Sequence, residues 1–253
     1  MRLVSINDVP FDPDDKHIIA GRTPITLKAA DRKAEALPVL SCNKSPSEVK
    51  PLMCSASPRD IPDVLDPRKD IPCDKLWAKY YSEADAYKIL RESFLEKKEY
   101  THMIIAPDDL IIRRRDFEDL MQDLYRVDYP ILSGVCNLDW QTMNKYGASY
   151  ETDLESWFTD ADLAGEPIKK VVYEGFACTI IRRDVVERII LDGFHHTCWA
   201  FDFGLALDCW TENIPIYVDC RVFMVHLKHR AGIGKKEYWG LEQKEAQLIY
   251  EKQ

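Results

Sequence analysis

The 253-residue sequence predicts an α/β domain, a mixed and mostly parallel sheet flanked by helices. Three observations point there. Short β-branched runs alternate with amphipathic helical runs through the first half, as in strands joined by crossover helices. The later strand-like runs arrive with little helix between them, so an antiparallel addition is expected there. With 46% hydrophobic and 30% charged residues, the chain is long enough to bury a core without disulfides or a structural metal.

Residues 1–36 are charged and weakly periodic and read as an N-terminal extension; 37–234 form the main domain and 235–253 a helical tail. Strands at 37–42 and 52–54 open the domain. Residues 55–72, holding Pro58, Pro62, Pro67 and Pro72, read as an extended loop, because proline lacks a backbone donor and breaks helices. A first helix starts near Ser82, where Asp85 completes a capping-box pattern, and continues through Ala86, Ile89, Leu90 and Phe94. Strand 101–106 follows. Phe117, Leu120, Met121 and Leu124 mark one face of a second helix. After strands at 130–136, 170–173 and 176–181, Asp184 and Glu187 begin a third helix that should stop at Gly193. A helix over 201–213 and strands at 215–218 and 222–225 complete the order.

A net charge of -9 argues against nucleic-acid binding, which favours a basic excess. No run approaches the roughly 20 apolar residues of a membrane span. Asp8, Asp12, Asp14 and Asp15 interrupt any secretory core, so a cytoplasmic protein with no transmembrane segment is expected. The eight cysteines form no C-x-x-C pair and mostly sit in apolar runs, which reads as buried free thiols.

Chemistry concentrates first at Pro107-Asp108-Asp109-Leu110, directly after strand 101–106. Ligands of open α/β sheets bind beyond the carboxyl ends of strands, so two adjacent carboxylates there face a crevice. They repel each other unless neutralised. Mn²⁺ or Mg²⁺ would do so, taking one or two carboxylates and completing its shell with water and a diphosphate. Asp-Asp pairs also occur as plain polar turns.

This turn, with helix and strand before it, resembles the acidic "DXD" segment of GT-A glycosyltransferases, especially inverting enzymes of the family-2 type. Three later segments are similar to that family in the same order. Glu174-Gly175-Phe176-Ala177-Cys178-Thr179-Ile180-Ile181-Arg182-Arg183 resembles its Gly-rich strand. Trp199-Ala200-Phe201-Asp202 resembles the "xED" segment, and Ile216 to His226 the closing strands. The likeness spans about 37–228. It implies a Rossmann-like GT-A fold and transfer of a sugar from a nucleotide-diphosphate donor to a carbohydrate, protein or lipid-linked acceptor. It further implies Asp109 and His226 as metal ligands, and Asp202 as general base with inversion at the anomeric carbon. Pro107 and Phe201 replace acidic residues of the family pattern.

Physical reasoning adds to these roles. A carboxylate at a helix start, as Asp202 is, is held ionised by the helix dipole, though an N-capping aspartate looks the same. Lys228 and Arg230, in a basic stretch with Gly232 and Gly234, suit a loop closing over a diphosphate. Ser41 and Asn43, after the first strand, are placed with Asp108 and Asp109 on the donor side. Gly175, Phe176 and Trp199 are placed on the acceptor side. His195, His196 and Cys198 match no standard zinc spacing. Two other functions fit less of the chain: a sugar nucleotidyltransferase, which lacks its Gly-rich basic loop here, and a noncatalytic binding module of the same fold.

Overall fold

The computed structural model describes residues 27–33, 35–41, 43–57, 67–81, 83–108, 110–137, 145–150, 156–191, 201–226 and 246–253. The strands and helices run β1 (Leu40–Ser41), β2 (Pro51–Ser57), β3 (Asp74–Lys79), α1 (Glu83–Glu96), β4 (His102–Ile105), β5 (Leu110–Ile111), α2 (Arg114–Arg126), β6 (Val127–Asp128), β7 (Ile131–Cys136), β8 (Ala148–Ser149), α3 (Asp160–Leu163), β9 (Ile168–Val171), β10 (Tyr173–Glu174), β11 (Thr179–Arg182), α4 (Arg183–Val186), α5 (Phe201–Thr211), β12 (Ile216–His226) and β13 (Gln247–Glu251).

One sheet dominates, in the order β13-β3-β2-β4-β11-β7-β12-β5, with β9 also paired to β12. β2 is parallel to β3 and β4, and β7 is parallel to β12. The remaining pairings are antiparallel: β11 to β4 and β7, β12 to β5 and β9, and β13 to β3. The sheet is therefore mixed, and the mostly parallel expectation is corrected. Its cause is local. β7 ends at the carboxyl edge, the β8–β10 ribbon lies beyond it, and β11 starts from that edge and runs back.

Alternation along the strands divides the core into two layers. Met103 and Ile105 join α1 residues Ala86, Leu90 and Phe94 and α5 residues Phe201 and Leu205 on one face. Ile104 and Ala106 join Phe117, Leu120, Met121 and Leu124 of α2 on the other. Each buried leucine or phenylalanine contributes about 1.5–3 kcal/mol. The outer face of α2 carries Arg114–Glu118, an i,i+4 ion pair at 2.7 Å.

Further expectations need revision. Asp74–Lys79 is a strand the sequence reading omits, and 216–226 is one strand with an irregularity between Val218 and Phe223. α4 is a single turn and does not reach Gly193. The chain leaves the helix at Glu187, and the Ile190 amide then donates to Asp208 Oδ2 at 3.0 Å. Residues 247–251, expected within a helical tail, form β13 because the open edge of β3 offers them a hydrogen-bond ladder. The Gln253 amide and the Tyr250 and Tyr100 hydroxyls then gather on Asp74. Part of the supposed N-terminal extension belongs to the domain. Leu27 is buried, and the Trp210 indole of α5 donates to the Lys28 carbonyl at 2.8 Å.

At the amino edge, His102 is fully buried between Thr101 Oγ1 (2.8 Å from Nδ1) and Asp128 Oδ1 (3.3 Å from Nε2). Lys44 Nζ meets Asp128 Oδ2 at 2.5 Å, and Arg182 lies 3.7 Å from that oxygen. Among the described residues Cys54, Cys73, Cys136, Cys178 and Cys209 are buried free thiols, and Cys220 is partly buried. No helix of the described residues is long and apolar enough to cross a membrane.

Candidate active site at the carboxyl edge

Strands β2, β4, β7 and β12 all run toward one edge, which therefore collects Ser57, Asp108 and His226 at their ends. The turn carrying Asp108 is tightly held. Ala106 N–H donates to the Cys54 carbonyl at 3.1 Å, and Leu110 N–H to the Pro107 carbonyl at 3.3 Å. Ser57 Oγ donates to Asp108 Oδ2 at 2.9 Å. Arg68, 1% exposed, donates through Nη1 to Ser55 Oγ at 3.1 Å and through Nη2 to the Pro107 carbonyl. Its guanidinium lies 5.3 Å from the Trp77 ring centroid. A planar, multiply donating cation thus clamps the turn from beneath.

β5 brings the distant end of β12 to this turn. Leu110 stands opposite His226 and Ile111 opposite Val225. Directly opposed residues of an antiparallel pair lie about 4.5–5.5 Å apart. Asp109 lies outside the described residues; its covalent neighbour Leu110 is the residue that faces His226. Asp108 is half-buried.

The other half of the edge is built by β10 and α5. Tyr173 Oη donates to Asp202 Oδ2 at 2.5 Å, and the Phe203 amide donates to Asp202 Oδ1 at 2.9 Å. Burial, then the Asp202 carboxylate, push the Tyr173 phenol well above its usual range, so it stays a donor. Beside it Glu174 is 1% exposed. Burial pushes its carboxyl up to about 7; the hydrogen bond from Thr179 opposes this, and the Asp202 charge adds to it.

Between β10 and β11 the backbone is strained, with φ 52° at Phe176 and 60° at Cys178, values that non-glycine residues rarely adopt. The Ala177 carbonyl between them accepts the Gly134 amide at 2.9 Å and Ser133 Oγ at 3.2 Å. Gly134 has to be glycine. A Cβ there would stand 2.8 Å from the Val222 carbonyl oxygen and 3.1 Å from that of Ala177.

The expected site residues divide accordingly. Asp108, Gly175, Asp202 and His226 lie at the carboxyl edge. Phe176 lies there too, but its ring is buried against Tyr87 at 5.8 Å, which gives it a packing role. Ser41 and Asn43 are corrected. β1 pairs with β6, so Ser41 stands opposite Val127 at the amino edge, beside Asp128, and exposed Asn43 follows it. The first strand of the main sheet is β2, and Ser55 and Ser57 occupy the position proposed for those two. Asp109, His195, His196, Cys198, Trp199, Lys228 and Arg230 lie outside the described residues.

Four residues escaped the sequence reading: Ser57, Arg68, Tyr173 and Glu174. Glu174 carries a local signal, since it sits immediately before the glycine of a quoted motif. Arg68 carries none, because its partners Ser55 and Pro107 lie 13 and 39 residues away in sequence. A cavity of about 610 Å³, lined by Val49, Lys50, Phe117, Met121 and Lys252, opens at the amino edge, away from all of these groups.

A metal fits this edge only with help from substrate. Among the described residues no three His, Cys, Asp or Glu side chains converge as a ligand set. A magnesium or manganese ion held mainly by a diphosphate and water needs just one or two protein groups. Asp108 and His226 meet that smaller demand in residue type and in location.

No family model matches the chain, and no curated protein matches it. Among solved structures it is similar to the crystal structure of A197 from STIV. The TM-score is 0.50 at 16% identity, covering 81% of this chain and 95% of that one. A likeness at this identity concerns the fold alone.

Proposed function

We propose that the protein is a glycosyltransferase that moves a sugar from a nucleotide-diphosphate donor to an acceptor hydroxyl, with inversion and with Mn²⁺ or Mg²⁺. The observation that carries this reading is the β5–β12 register. It sets His226 opposite Leu110, next to the acidic turn and at the edge where α/β sheets take ligands. The mixed sheet and the placing of Asp202 on the same edge agree with it.

In this reading Asp108, Asp109 and His226 hold the cation, which would stabilise charge on the departing diphosphate when bound. Arg68 and Ser57 fix the turn. Asp202 accepts the proton of the acceptor hydroxyl as oxygen attacks the anomeric carbon, and the sugar–phosphate bond breaks with its electron pair leaving on the diphosphate. Tyr173 and the Phe203 amide aim the carboxylate. The acceptor is a carbohydrate, a protein or a lipid-linked sugar.

The test is thermal stability against a panel of nucleoside diphosphates and nucleotide sugars, with and without Mn²⁺, for wild type and Asp109→Ala. A ligand binding only the folded state raises the transition by mass action. One nucleotide should produce a metal-dependent rise that Asp109→Ala abolishes; no rise with any nucleotide and metal refutes the reading. One observation favours a noncatalytic binding module instead: both oxygens of Asp202 already accept protein hydrogen bonds. That module would show the thermal shift without donor turnover.

A further inference from the structure

The start of β12, at the opposite end of the strand from His226, borders a second cavity, of about 280 Å³. The mechanism above does not use it. Four segments far apart in sequence build it. Buried Val171, Ile214 and Ile216 give it an apolar floor. Around that floor stand Arg32, Tyr150 and Lys170, all exposed, and the half-buried Trp210.

Backbone hydrogen bonds fix both walls. On one side residues 28–33 turn once at Ala29–Asp31 and lie against the end of α5. The Trp210 indole donates to the Lys28 carbonyl at 2.8 Å, and the Lys33 amide to the Thr211 carbonyl at 2.9 Å. Arg32 sits between these two anchors, its guanidinium carbon 4.6 Å from the Trp210 ring centroid, a cation–π contact. Lys33, and not Arg32, answers the acid at the helix end, pairing with Glu212 at 2.6 Å. On the other side Lys170 and Val171 stand opposite Tyr217 and Ile216 in the β9–β12 ladder. The Val172 amide donates to the Ser149 carbonyl at 2.8 Å, which brings Tyr150 alongside, its ring centroid 4.3 Å from that of Phe158.

The cavity differs in charge from the chain as a whole. The net charge is -9, yet the charged side chains lining it among the described residues are both cations. Two cations facing one small space repel, and an anion between them relieves that. A guanidinium lying over a ring keeps its N–H donors in its own plane, where they match two oxygens of a carboxylate or phosphate.

We propose that this cavity binds a small ring compound bearing one oxyanion, either a phosphate monoester or a carboxylate. Arg32 takes two of its oxygens, Lys170 adds a point charge, and the ring lies on the apolar floor beside Trp210 and Tyr150. Since a cavity of about 150 Å³ admits benzene, 280 Å³ has room for one ring and its anion. The site is separate from the donor edge and does not depend on the transferase reading.

The probes are phenyl phosphate and benzoate, with benzyl alcohol as the uncharged ring and inorganic phosphate as the bare anion. In the full chain labelled with nitrogen-15 tryptophan, the Trp210 indole signal is assigned by its loss in Trp210→Phe. At least one of the two ring acids should move this signal saturably, with both controls binding about tenfold more weakly or worse. Tighter phenyl phosphate assigns a phosphate ester; tighter benzoate assigns a carboxylate. Arg32→Gln should weaken the preferred probe about tenfold, and Lys170→Gln about threefold. His226→Ala should leave its affinity unchanged, because the donor edge takes no part. No saturable shift with either acid overturns the site, as does affinity indifferent to both Arg32→Gln and Lys170→Gln. Inorganic phosphate binding as tightly as the ring acids overturns the ligand class, and a loss in His226→Ala equal to that in Arg32→Gln assigns the binding to the donor edge instead. Should Arg32→Gln fail to fold, Lys170→Gln carries the test from the opposite wall.

Discussion

The Tyr173 hydroxyl donates to the Asp202 carboxylate at 2.5 Å, joining a two-residue strand to the first turn of a helix. In the transferase proposed above, that bond fixes the direction of the carboxylate that would take the acceptor proton. Tyr173→Phe removes the donor to Oδ2 and keeps the Phe203 amide on Oδ1. Stability should drop by about 1–3 kcal/mol, read by urea unfolding. Turnover should fall about 10- to 100-fold with little change in donor affinity, as expected for a misaimed base. Unchanged kinetics would show that Asp202 needs no such aim.

Arg68 offers a sharper contrast between charge and shape. Lysine keeps the charge but cannot reach Ser55 Oγ and the Pro107 carbonyl together from one planar head. Arg68→Lys should therefore lose the nucleotide-induced thermal shift almost as fully as Arg68→Met. A lysine variant with wild-type nucleotide response would reduce the guanidinium to a counter-charge.

Gly134→Ala tests the backbone behind Glu174. Its methyl would press on two carbonyl oxygens, one of them that of Ala177 within the strained turn. We expect about 1–3 kcal/mol of destabilisation by chemical denaturation, the usual cost of overpacking. Full stability would mean that β7 and the 175–178 turn can part without loss.

The amino edge predicts a pH dependence. Burial lowers the His102 pKa below 6.5, despite the opposing Asp128 hydrogen bond, so the fold prefers the neutral ring. Stability from this group is complete above 6.5 and declines as pH falls from there toward the depressed folded value. Asp128 adds to the same trend. Burial raises its pKa, but hydrogen bonds from His102 and Lys44 outweigh that and leave it below 3.8, so further stability goes at lower pH. Melting temperature should fall between pH 6.5 and 5 in wild type and much less in His102→Gln. Parallel curves would remove His102 as the cause.

Much of this could be read in advance where the signal was local. The apolar stripe of α2 and the buried run of β4 leading to Asp108 follow from spacing alone. The Tyr173–Asp202 link could not, because it joins residues in different elements. β3 was hidden for a related reason. Its Asp74 and Lys75 look like solvent charges, yet Asp74 is met by Tyr100 and Gln253, and Lys75 Nζ donates to the Ile71 and Cys73 carbonyls. Ser41 and Asn43 were misplaced because the first apolar run pairs with β6 instead of entering the main sheet. For Asp202, Asp74 and Ser41 the deciding partner is remote in sequence.

The position of β13 bears on how the protein is made. Among the described strands it comes last in chain order, yet it pairs with β3, one of the early strands. During synthesis β2, β3 and β4 can pair while that flank still presents unpaired amides and carbonyls. A nascent chain thus presents the β3 edge until β13 has emerged from the ribosome, after which β13 itself forms the flank of the sheet. Crowded expression should then favour strand exchange between neighbouring chains at this flank, and slower synthesis or chaperone capture should spare it.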